Sequence, residues 1–344
     1  MGIRKLTELI HSDAPDAISH KEITDYTGKT IALDTSIILQ QFRAVTPQLS
    51  PLAGLFFRTL TLLEHDIKPV FVLDGRPPAE KTPVLEKRAK AAGWRSPNCM
   101  GTESSQKENC IKLLELLGVP VVKAPGDAEA LCAQLVKRGT VDAAASEDMD
   151  TLPFGASFLI RHLNAKRDSN VIEYSLTKLL DKLNITHKEF VDLCILLGCD
   201  YCDKITGLGP KKALTLIQKH HTIENVVLHI NRQAHTVPMS WGYKEARKIF
   251  LDAPQTEVPE LKWTEPNEEA LVKFLCQAGH IKENRISHRM ETFRKTREKR
   301  ERERAAGQSR QTQMQDFFRV TRKRGKPMEA ADASSSGIKR PKSK

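Results

Sequence analysis

Thr30-Ile31-Ala32-Leu33-Asp34 and Pro69-Val70-Phe71-Val72-Leu73-Asp74 share one plan, a short run apolar on both faces that ends on a carboxylate. Similar Val-, Ile-, Leu- and Ala-rich runs recur at 119–122, 141–145 and 157–160. Runs without polar alternation suit strands covered on both sides, as in parallel sheets. Between them, residues 51–64, 106–117 and 127–137 space their apolar residues by three and four, as amphipathic helices do. The order β-α-β-α predicts an α/β fold with a parallel sheet flanked by helices. Past residue 175 the strand signal fades, and helices are expected at 176–183, 187–197, 211–220, 243–251 and 268–278. From 281 to 304 charges of both signs alternate without an apolar stripe, which predicts a solvated, fraying helix. Beyond residue 305, low hydrophobicity and high charge predict disorder.

Charge is unevenly distributed. Residues 285–344 carry 19 Lys and Arg against 7 Asp and Glu, whereas the rest of the chain balances 35 against 36. A balanced body with a basic tail favours a polyanionic partner such as nucleic acid. Seven cysteines, at 99, 110, 132, 194, 199, 202 and 276, form no disulfide framework, and no secretory or membrane-spanning stretch is evident. A soluble intracellular protein is therefore expected. Cys199 and Cys202 make a C-x-x-C without a second ligand pair, which argues against structural zinc. Leu6 stands where a myristoylation signal needs Ser or Thr.

In open parallel sheets ligands bind beyond the carboxyl ends of the strands. Those ends are repeatedly acidic here: Asp34, Asp74, Asp127 with Glu129, Asp148 with Asp150, and Asp200 after an apolar helix. One acid at a strand end is commonly a helix cap. Several in one pocket repel one another, and a fold tolerates this mainly where cations neutralise them. Oxygen-only ligands point to Mg²⁺, with Mn²⁺ able to substitute. Two such ions suit in-line hydrolysis of a phosphodiester. Asp148-Met149-Asp150-Thr151 places its threonine one residue early for an Asp-x-Asp-x-Thr phosphatase.

Seven short stretches raise the specificity: M-G-I at the start, A-L-D-T-S around Asp34, K-P-V-F-V-L-D-G-R-P-P around Asp74, A-P-G-D-A-E-A around Glu129, S-E-D-M-D around Asp148, L-G-C-D-Y-C around Asp200 and G-L-G-P-K-K-A from Gly207. Together they closely resemble the flap endonuclease (XPG/RAD2) family, in order from Met1 to about Ala278. The resemblance implies a PIN-like nuclease fold, a helix-turn-helix (H2TH) subdomain, two Mg²⁺ ions per subunit, and cleavage of 5′ flaps with 5′–3′ exonuclease capacity in replication and repair. Carried over by motif, the metal acids are Asp34, Asp74, Asp127, Glu129, Asp148, Asp150 and Asp200. Asp127 replaces the family's glutamate, shortening its reach by about 1.5 Å, so that it meets an ion through a water.

The resemblance also assigns Lys81 and Arg88, at the base of an arch helix, to holding the scissile phosphate. Gly2, Arg58, Gly207, Gly209, Lys211 and Lys212 become DNA contacts, with K⁺ at the H2TH turn. In the tail, Gln311-x-x-Met314-x-x-Phe317-Phe318 resembles the sliding-clamp (PCNA) box, and Arg322-Lys323-Arg324-Gly325-Lys326 and Lys339-Arg340-Pro341-Lys342 read as nuclear-import or DNA-contact patches. A monomer in the nucleus, acting on branched or flapped DNA, is expected. The corresponding division is a nuclease region at 1–91, an arch linker at 92–105, a second nuclease region at 106–175, the H2TH subdomain at 176–280, and a tail at 281–344 with the clamp box at 311–318.

The chain departs from the family pattern in two intervals. Asp34 to Asp74 spans 40 residues and Asp74 to Asp127 spans 53, both short for a full flap endonuclease. The losses fall near 46–51, which helps wedge the duplex, and in 91–103, where Gly93, Pro97 and Gly101 interrupt the arch helices. Gln40 stands where an aromatic that stacks on a base is expected. Substrate selection should suffer more than chemistry. Rival readings are a repair exonuclease or Holliday-junction resolvase of the same superfamily, and a catalytically weakened adaptor that binds DNA and clamp; retention of all seven acids argues against the adaptor.

Overall fold

The computed structural model describes residues 2–35, 51–91, 100–163 and 170–305. At its centre is a seven-stranded sheet in the order β1-β7-β6-β5-β2-β3-β4, built from β1 (Ile18–Lys21), β2 (Thr30–Asp34), β3 (Lys68–Leu73), β4 (Val121–Lys123), β5 (Ala143–Ala145), β6 (Phe158–Arg161) and β7 (Val171–Ser175). The five strands from β6 to β4 are parallel, whereas β7 pairs antiparallel with both β6 and β1. The sheet is thus mixed at one edge, where the sequence reading expected parallel strands only. β7 escapes that reading because Glu173 interrupts its apolar run. Glu173 is nevertheless buried, accepting from the Tyr26 hydroxyl at 3.0 Å and pairing with Lys21 at 2.8 Å.

Alternate residues of the central strands feed two cores. Ala32, Val70, Val72, Ala144 and Leu159 face one, while Ile31, Leu33, Phe71, Ala143, Ala145 and Ile160 face the other. Named in chain order, the helices are α1 (Leu6–Asp13), α2 (Pro51–Glu64), α3 (Thr82–Ala91), α4 (Met100–Leu116), α5 (Ala128–Lys137), α6 (Leu176–Leu183), α7 (His187–Leu197), α8 (Pro210–His220), α9 (Ile223–His229), α10 (Tyr243–Leu251), α11 (Glu268–Ala278) and α12 (Glu283–Ala305). The first core holds α5 and α7, and the second holds α2, α4 and α11. Burial on both faces is what the two-sided apolar strands require.

Helices α1 and α9 fall where the sequence reading named none, and two others differ from expectation in extent or anchoring. α4 begins at Met100 and runs through Gly101, six residues ahead of the expected start, so Gly101 does not interrupt it. α12 is anchored over its first half: Ile286, Met290 and Phe293 are buried in the second core, and Arg289 pairs with Glu64 of α2. Those three residues, four and three apart, are an apolar stripe that the surrounding charges mask in sequence. The described residues up to Arg297 belong to one compact unit. Gln40, Gly93, Pro97, the clamp box Gln311, Met314, Phe317 and Phe318, and the basic patches after 321 lie outside the described residues.

Candidate metal centre

The strand order changes direction at β2, with β3 on one side and β5 on the other. A crevice opens beyond such a switch point. Asp34, the last residue of β2, is 1% exposed there and accepts from Ser146 Oγ at 3.1 Å. Ser146 in turn accepts the Asp148 N–H at 3.0 Å, so one hydroxyl joins the ends of β2 and β5. Asp74 follows β3, and its carboxylate accepts the Ala128 N–H at 2.8 Å, a contact at the positive end of α5. Asp127 caps that helix by position and Glu129 lies in its first turn. Asp74, Asp127 and Glu129 bring one oxygen each within 4.8 Å of one another.

Asp148 and Asp150 occupy a tight turn after β5, where Asp148 Oδ1 accepts the Asp150 N–H at 3.0 Å. Asp200 lies beyond α7 and receives one Arg88 amino group on both its oxygens at 2.8 Å. Gly2 closes this side with a φ of +78°; a Cβ there would stand 1.8 Å from Asp148 Oδ1 and 2.1 Å from Asp150 Oδ1. Only a residue without a side chain fits against the pair.

Burial is the first cause that pushes the Glu129 carboxyl well above its ordinary range, followed by the charge of Asp34 and opposed by Lys81. Burial likewise raises Asp150, with Asp148 next. Lys81 sits 3.0 Å from Asp127 Oδ1; burial works against its charge, but Glu129 and Asp127 outweigh it and hold the ammonium above its usual range. Glu129 Oε2 and Asp150 Oδ1 are buried with no hydrogen-bond partner among the described residues. Two acceptor oxygens left open among mutually repelling acids are a donor set that fits a hard divalent cation.

The remaining predicted residues fall elsewhere. Gly207 has a φ of +78°, and a Cβ on it would meet the Ala234 carbonyl at 3.0 Å. Gly209 precedes α8 with no side-chain cap and open space beside it. Lys211 is exposed, 3.7 Å from Asp13, and Lys212 contacts His235 at 2.7 Å. Arg58 is the exception to its expected role as a DNA contact. It is buried on α2 and donates to the Leu163 carbonyl, and burial lowers its pKa to about 10. That position braces the fold.

Comparison with known proteins agrees with this arrangement. Residues 1–93 match the XPG N-terminal domain and 118–200 the XPG I-region. A Danio rerio protein named probable flap endonuclease 1 homolog is 58% identical over 346 residues, spanning 98% of this chain and 99% of its own. Flap endonuclease 1 of Salmo salar is 40% identical over 93% of this chain and 91% of its own. The chain belongs to the flap endonuclease family. The solved flap endonuclease-1 of Methanococcus jannaschii superposes with a TM-score of 0.65 at 25% identity, covering 81% of this chain and 96% of that one.

Two residues near the centre of this flap endonuclease family member were not singled out from sequence. Tyr201 donates to Asp127 Oδ2 at 2.7 Å, so both Asp127 oxygens are engaged, one by Lys81 and one by Tyr201. It lies inside the L-G-C-D-Y-C stretch, which was the available signal. Lys107, midway along α4, donates to the Asp74 carbonyl across 33 residues, and no local pattern marks it.

Proposed function

We propose that this chain is a Mg²⁺-dependent, structure-specific endonuclease that hydrolyses the phosphodiester backbone of 5′-flapped DNA, with 5′–3′ exonuclease capacity, in replication and repair. The observation that carries the reading is the cluster of carboxylates beyond the strand ends, with Asp74, Asp127 and Glu129 mutually close, two open buried oxygens, and two cations, Lys81 and Arg88, beside it. An adaptor that only bound DNA would gain nothing from gathering seven acids, six of them buried, at one place.

Asp34, Asp74 and Glu129 would hold one ion, and Asp148, Asp150 and Asp200 the other. When bound, the ions activate a water, neutralise the phosphate and stabilise the leaving oxygen. Asp127 has both oxygens occupied, which supports an indirect part: it orients Lys81 at the base of α3. Arg88, paired with Asp200, stands about two helical turns further on, within α3. Two fixed guanidinium and ammonium charges beside a developing pentavalent phosphate stabilise it without reorganising. Gly209 and the free N–H groups of α8 would take duplex phosphate, with K⁺ at the Gly207 turn; such contacts recognise backbone and shape rather than sequence. The chain is read as a nuclear monomer whose 311–318 box docks on a sliding clamp.

A labelled 5′-flap duplex incubated with Mg²⁺ tests this. The wild type should release the flap, and Asp150→Asn should lose at least about 100-fold in rate while still binding the duplex. An inert wild type would reject the reading in favour of the adaptor.

A further inference from the structure

Beside the carboxylates lies an open cavity of about 570 Å³ whose wall includes Gly2, Arg88, Cys199, Asp200, Cys202 and Lys204. Two thiols therefore share a wall with the Arg88–Asp200 pair. Their sulfurs are 3.8 Å apart. Among the other described cysteines, Cys110, Cys132 and Cys194 are buried and only Cys276 is partly accessible. Among the described cysteines, this pair alone lines the cavity.

The backbone on both sides of the pair is tied down. The Gly198 carbonyl accepts the Arg4 N–H at 3.2 Å, and the Asp203 carbonyl accepts the Trp241 indole N–H at 2.6 Å. A disulfide brings the sulfurs to about 2.05 Å with a dihedral of about 90° across the bond, so both cysteine side chains must turn toward each other. With the backbone held on either side, the movement they pass to the main chain falls on the two residues between the cysteines. These are Asp200, which pairs with Arg88, and Tyr201, which holds Asp127.

We propose that Cys199 and Cys202 form a reversible dithiol modification site, oxidised to an intramolecular disulfide by low-molecular-weight disulfides, and that closure displaces Asp200 and Tyr201 and so disables the site. The consequence for cleavage rests on the nuclease reading above; the modification itself does not. One cysteine sulfur attacks a sulfur of the small disulfide and releases its first half as a thiol. The other cysteine then attacks the mixed disulfide and releases the second half, forming the Cys199–Cys202 bond. Each cysteine loses its proton to a released half, the pair is oxidised by two electrons, and the small disulfide is reduced by two.

The test uses the full-length protein treated with glutathione disulfide or with dithiothreitol. Peptide mass mapping should find a Cys199–Cys202 linkage two hydrogens lighter than the dithiol. Mn²⁺ affinity by calorimetry and 5′-flap cleavage should both fall at least tenfold and recover on reduction. Cys202→Ser should keep the cleavage rate of the reduced wild type and ignore the oxidant. Absence of the linkage, or a linked protein with unchanged Mn²⁺ affinity, overturns the proposal. If the reduced wild type cannot cut flaps, the nuclease reading fails alone, and the mapping and calorimetry still decide this one.

Discussion

Asp150 concentrates the electrostatic cost of the site: it is 3% exposed, one of its oxygens has no hydrogen-bond partner among the described residues, and Asp148 repels it. Without divalent ions, Asp150→Asn should therefore raise stability by about 1–3 kcal/mol in thermal unfolding at neutral pH. Saturating Mn²⁺ should reverse the order by stabilising the wild type and leaving the variant nearly unmoved. The pH dependence has a definite sign. Glu129 and Asp150 hold protons in the folded chain at pH values where the unfolded chain, with ordinary values of 4.5 and 3.8, has lost them. Their contribution to metal-free stability is greatest below those values and declines as pH rises through the raised folded pKa values. Melting curves from pH 4 to 8 in chelator should show that decline for the wild type and less of it for Asp150→Asn; parallel curves would contradict it. The acids themselves were legible in sequence because each closes an apolar run. Asp127's engagement was not, since its partners Lys81 and Tyr201 are 46 residues before it and 74 after it.

Among the elements, α12 separates local from tertiary causes. Its sequence is charged along most of its length, and a helix judged on that alone should fray. Ile286, fully buried against the second core, makes the contrary case testable. Ile286→Ala should cost about 2–5 kcal/mol in urea unfolding; a change near zero would mean that the helix does not dock in solution. β7 teaches the same lesson on the sheet. Its charged Glu173 is acceptable inside because Tyr26 and Lys21 reach it from elsewhere in the chain, and no periodicity within residues 171–175 announces those partners. α5, by contrast, was readable outright. Its apolar residues repeat at helical spacing, and a Pro125-Gly126 turn followed by an acid marks its start.

At the scale of the whole molecule, the short 34–74 and 74–127 intervals and Gln40 are expected to affect substrate choice more than chemistry. Relative to a full-length family member, a double-flap duplex should be cut less efficiently than nicked or gapped duplex; equal preference in a competition assay would count against it. Replacing Phe317 and Phe318 by Ala should abolish clamp binding in pull-down and clamp stimulation of cleavage, while clamp-free cleavage stays unchanged. The sequence by itself determined the nuclease family, the period of nearly every element and the identity of the acids, because strand alternation, helix spacing and turn residues are local. Tertiary structure alone decided which acids converge, that Arg58 is interior, that Asp127 is spoken for, and that Arg88 reaches the cavity wall beside Asp200 and the two cysteines. Those facts depend on the β6-β5-β2-β3-β4 order of the strands, which brings together residues more than a hundred positions apart, and burial and charge pairing are set by that proximity rather than by any neighbour in sequence.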